Sequence, residues 1–70
     1  MILRPKHYQM EPEPYEVIKA WDLGFEKGNA LKYIARAGRK EGNSEEDDLF
    51  KAIDYLQKRI EVIRCQKQNH

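Results

Sequence analysis

Residues 48–63 read DLFKAIDYLQKRIEVI, and the apolar residues among them decide the fold. Leu49, Ile53, Leu56, Ile60 and Ile63 recur alternately four and three apart, the spacing of a helix that carries a coiled-coil seam. Just upstream, Ser44 followed three residues later by Asp47 resembles a capping box, with Asp in place of the usual Glu. A helix over about 45–67 follows, roughly 30 Å long by its rise per residue. It outruns anything the rest of the chain can lay against it, so its exposed remainder is expected to bury against a partner subunit in a homo-oligomer.

Working back toward the N-terminus, Glu41-Gly42-Asn43 forms a turn, preceded by a second helix over about 27–38. Ala30, Leu31, Ile34, Ala35 and Gly38 give that helix one face of mostly small residues, suited to close packing. A first helix is expected over about 14–22, opened by Pro14 with Glu13 and Glu16 near its positive end. Pro14, Val17, Ile18 and Trp21 repeat at helical spacing and should face the core. Gly24 fits a left-handed stop, with Phe25 plugging the corner behind it. Residues 1–12, punctuated by Pro5 and Pro12, read as an extended arm. The fold class is therefore all-α: a compact three-helix domain with an N-terminal arm and a long C-terminal helix, one domain over 1–70.

Composition narrows the functional classes. Apolar residues make up 40% of the chain, too many for disorder, and no run is long enough to cross a bilayer. The apolar stretch after Met1 is too short for a secretory signal, and a lone Cys65 fits a reducing compartment, so the expected location is cytoplasmic. A net charge of +1 argues against general nucleic-acid binding. The distribution is more telling than the sum. Between Lys27 and Lys40 five cations occur without a carboxylate, and acidic segments flank the stretch on both sides.

Within that stretch Asn29, Lys32, Tyr33, Arg36 and Lys40 share one side of the second helix. Lys32 and Arg36 are four apart and repel by a few tenths of a kcal/mol unless an anion lies between them. Arg supplies a planar fork for phosphate oxygens, Lys a point charge, and Tyr33 a ring for stacking. The plainer alternative is that these cations pair with carboxylates of neighbouring helices, Asp48 above all. On the third helix Lys51, Tyr55 and Lys58 or Arg59 make a second polar ridge that could close a groove with the first. His7 and Tyr8 would bring an imidazole and a ring over it. Two acidic pairs, Glu13/Glu16 and Glu45/Asp48, are weak candidates for Mg²⁺ over a diphosphate; no cofactor is required otherwise. Neither G-x-x-x-x-G-K-[ST] nor G-x-G-x-x-G occurs, and no nucleophile–base constellation is visible.

The segments GNALKYIARAGRK at 28–40 and DLFKAIDYL at 48–56, with His7-Tyr8 and EPYEVI at 13–18, resemble a small phage-borne domain family to which a coliphage nucleotide kinase belongs. The resemblance covers about residues 7–60. It implies a helical fold, an origin in phage, hence the cytoplasm of an infected bacterial host, and nucleotide binding. It singles out His7, Tyr8, Asn29, Lys32, Tyr33, Arg36, Lys40, Asp48, Lys51 and Tyr55. The kinase is much longer than this chain, so kinase activity is the alternative and not the first reading. The first reading is a protein that binds or sequesters a nucleotide, or a cyclic-nucleotide defence signal, without chemistry. The rivals are a nucleoside monophosphate kinase or Mg²⁺-dependent nucleotide hydrolase, and a protein or DNA adaptor.

Overall fold

The computed structural model describes residues 11–39 and 41–68. Most of the expected arm, with His7 and Tyr8, lies outside the described residues, as does Lys40. Three helices follow in order: α1 (Pro14–Ala20), α2 (Gly24–Arg36) and α3 (Glu45–Gln68). The fold is all-α with a long C-terminal helix, and no strand occurs among the described residues. The Cα atoms extend 49 × 27 × 14 Å, so the helices lie side by side in one layer. α2 sits between the other two and packs far more extensively on α3 than on α1.

Local chemistry fixes each helix end. Pro14 opens α1 where its missing N–H is not needed, and the Val17 N–H donates to the Glu13 carbonyl at 3.2 Å. The far end closes with two backward bonds, Asp22 N–H to Lys19 O and Leu23 N–H to Ile18 O. That pair is a Schellman closure, and the residue in its left-handed position is Asp22 at φ 51°. The sequence reading gave this role to Gly24, which is also left-handed at φ 81° but stands two residues on, at the start of α2. The reach of the turn explains the shift, because Leu23 must fold back onto Ile18 for the closure to form. Trp21, expected in the core, ends up largely exposed because α1 stops at Ala20. Phe25, expected to plug the corner, lies exposed in the first turn of α2.

α2 ends at Arg36, before the expected Gly38. Ala37 adopts φ −56°, ψ 123° and Gly38 takes φ 77°, while Arg39 N–H donates to Arg36 O at 2.8 Å. These are the marks of a type II turn, whose third residue must be left-handed and is therefore glycine. At the start of α3, Asp47 N–H donates to Ser44 Oγ at 3.0 Å, the forward half of a capping box. Close approach of α1 to α2 is allowed by Gly28, where an added Cβ would come within 2.9 Å of the Ile18 methyl.

The apolar interior is small. Ala30 of α2 and Ala52 of α3 are buried, while Ile34 and the α3 seam stay substantially exposed. Since Asp22 occupies a left-handed position at a cost that glycine avoids, Asp22→Gly should stabilise the chain by on the order of 0.5 kcal/mol. A melting midpoint raised by roughly 2–4 °C in circular dichroism is the expected result.

Candidate functional site

Among the described residues the most deeply buried large side chain is charged. Asp48, in the first turn of α3, has no exposed surface, and the Arg36 side chain at the end of α2 is nearly as enclosed. Arg36 Nε donates to Asp48 Oδ1 at 3.2 Å, and Lys51 Nζ stands 4.0 Å from the same oxygen. Burial alone would push the Asp48 carboxyl up. Hydrogen bonding from Arg36 and Asn43, with the charges of Arg36 and Lys51, outweighs burial and holds the carboxyl below its ordinary value.

This pairing is the plainer alternative that the sequence left open for Arg36. Its guanidinium was expected to reach out to phosphate; it turns inward to a carboxylate twelve residues on. The expected repulsion between Lys32 and Arg36 is thereby lessened from inside, by Asp48. Among the described residues no three His, Cys, Asp or Glu side chains converge as metal ligands would, so Glu13, Glu16, Glu45 and Asp48 form no such cluster.

Above the ion pair lies a row of rings. Tyr33 stacks on Tyr55 with centroids 5.9 Å apart and planes 16° from parallel, and Phe25 meets Tyr55 edge-on at 5.8 Å. Cations surround the row. Arg36 Cζ is 4.6 Å from the Tyr33 centroid, Lys32 Nζ 5.3 Å and Lys51 Nζ 5.5 Å. Lys58 Nζ is 4.9 Å from the Tyr55 ring and bonded to Asp54 at 2.9 Å, which raises its pKa. Lys58, and not Arg59, thus belongs to this face; Arg59 points to α2 and meets Glu26 at 3.9 Å.

Lys32, Tyr33, Lys51 and Tyr55 are therefore brought together from two helices. Asn29 is on the same side of α2, but its Nδ2 donates to the Phe25 carbonyl at 2.8 Å, leaving the amide oxygen as its outward group. Phe25 was missed, although the signal was there: it lies one helical turn before Asn29 and two before Tyr33. Asn29 and Lys32 also border a groove of about 220 Å³ with Ile18, Gly24, Phe25 and Gly28.

Residues 2–57 match the family described as a protein of unknown function, DUF3310. The chain belongs to this family. No curated protein and no solved structure matches it. The DUF3310 match takes in the Arg36–Asp48 pair and the ring row with Lys32 and Lys51, and it ends before Lys58 and the last two residues of the α3 seam.

Two outcomes follow for the ion pair. Arg36→Met takes the hydrogen-bonded cation from a buried carboxylate and should cost up to about 3–5 kcal/mol, a large share of the stability of a domain this size. Denaturant unfolding followed by circular dichroism reads it. The pH dependence has a definite sign. Asp48 is more acidic in the folded chain, so its contribution is full above the unfolded value of about 3.9 and is lost as pH falls through the folded one. Thermal melts between roughly pH 5 and pH 2 should show a shallower acid loss in Asp48→Asn than in the native chain.

Proposed function

We propose that this DUF3310 chain binds a nucleotide, or a signal built from nucleotides, on the α2–α3 face and holds it without chemistry. The observation that carries the reading is the Tyr33 ring, with the Lys32 and Lys51 ammonium groups beside it and Tyr55 stacked on it. Aromatic faces give a base a stacking partner, and mobile ammonium groups follow phosphate oxygens without demanding one geometry. In this reading Lys32 and Lys51 engage phosphates, Phe25 and the two tyrosines flank the base, and the Asn29 oxygen accepts from a base or sugar. Arg36 supports the face from beneath and does not touch the ligand. His7, Tyr8 and Lys40 belong to the same proposal through the family resemblance.

The likeness to a phage-borne family that includes a nucleotide kinase supports the ligand class and adds a setting. In an infected host's cytoplasm, a small protein that binds without turnover acts as a sink for cyclic-nucleotide defence signals. The absence of a phosphate loop from the sequence favours binding over phosphoryl transfer.

A thermal-shift and calorimetry panel of mononucleotides and cyclic di- and trinucleotides tests the reading. At least one ligand should bind, and Lys32→Ala and Lys51→Ala should each weaken it roughly tenfold or more. Both variants should keep the native helicity, since neither removes the Arg36–Asp48 pair. Unaltered affinity in both variants, or no binding across the panel, overturns the assignment. Ligand recovered after heat denaturation should be intact even with Mg²⁺ present; a phosphorylated or cleaved product would make the protein an enzyme.

A further inference from the structure

We propose that α3 pairs with α3 of a second copy in antiparallel sense, through the seam Leu49, Ile53, Leu56 and Ile60, with Glu46 of each copy facing Arg64 of the other. Leu49, Phe50, Ile53, Leu56, Ile60 and Ile63 keep between 38 and 61% of their surface exposed. Six large apolar side chains on one helix form a contiguous patch of the kind that marks a protein contact. They do not line the cationic face. Successive residues turn by about 100° round a helix. On that spacing Asp48, Ala52, Tyr55 and Arg59 face α2, Lys51 and Lys58 fall to one side of them, and the seam falls to the other.

The direction of pairing is set by charge. On the seam side of α3, Glu45 and Glu46 lie in the first turn, whereas Arg64 and Lys67 lie near the other end. A parallel pair would set acid on acid and base on base; an antiparallel pair sets each end against its complement. The surface relief agrees. Two shallow grooves lie along this side of α3. One is bordered by Glu46, Leu49, Phe50 and Ile53, and the other by Gln57, Ile60, Glu61 and Arg64. Aligning Glu46 with Arg64 of the second copy lays Phe50 over Ile60 and Ile53 beside Gln57. Glu46 at the edge of one groove then meets Arg64 at the edge of the other copy's groove. The two-fold axis passes level with residue 55, and every contact occurs twice. Because the seam and the lysines lie on opposite sides of the layer, the dimer carries its two Tyr33–Tyr55 faces outward, each made by one copy alone.

Light scattering at micromolar concentration should give a mass near twice the 8.4 kDa of one chain. Ile53→Asp should reduce it to one chain with native helicity in circular dichroism. Since that change also burdens the helix, a charge swap on exposed residues provides the second reading. Glu46→Arg and Arg64→Glu should each weaken dimerisation by about tenfold, the pair being lost twice by symmetry. The double variant should restore most of the native affinity, with all three charge variants keeping native helicity. A native mass of one chain, or one above the dimer, overturns the proposal. So does a dimer unaffected by Ile53→Asp, or single charge variants that the double variant does not rescue.

Discussion

Everything in this layer of helices hangs on one buried ion pair. Arg36 ends α2 and Asp48 begins α3, and their 3.2 Å contact fixes how the two helices cross. In larger domains that task falls to interlocking apolar side chains. Here Ala30 and Ala52 are the buried hydrophobic residues among those described, and alanines allow helices to approach without specifying a register. A directional bond supplies what they cannot. Its desolvation is costly, and hydrogen bonding with the nearby Lys51 charge offsets that cost enough to keep the carboxylate ionised. The connection between the two helices serves the same end. Gly38 turns the chain sharply and Ser44 caps α3, so Asp48 arrives beneath the last turn of α2.

The ion pair also organises the surface above it. The Arg36 guanidinium lies against one side of the Tyr33 ring while bonded to Asp48, so the ring rests on a fixed plane. Lys51 shares the same carboxylate at 4.0 Å and leans toward the same ring. Tyr55 reaches Tyr33 from α3 because Ala52, one turn earlier, lets the helices come close. The rings and ammonium groups are therefore held from below by a largely buried contact.

A single layer has two faces, and this one distributes its chemistry unequally. Aromatic rings and lysines occupy one face. Ile34 and the α3 seam occupy the other, where no third element of the described chain lies over them. The apolar face is thus open without obstructing the cationic one.

The sequence by itself determined the helices, because capping residues, turn glycines and apolar spacing act over a few residues and need no distant partner. The turn at Glu41-Gly42-Asn43, the Ser44 cap and the heptad spacing of α3 are all local in this sense. It also determined that Lys32 and Tyr33 share a face, and Lys51 and Tyr55 another, since helical periodicity is arithmetic. It did not determine that Arg36 points inward. Arg36 sits at the same spacing as the other cations of α2, and its partner is twelve residues away across a turn of unknown geometry. Only the crossing of α2 and α3 decides whether an arginine at that position meets water or a buried carboxylate. The same holds for Trp21 and Phe25, apolar by composition yet exposed, because a layer this thin has no interior large enough to take them. Side-chain type and local period fix what a helix can present; what it buries depends on which neighbour arrives and at what angle.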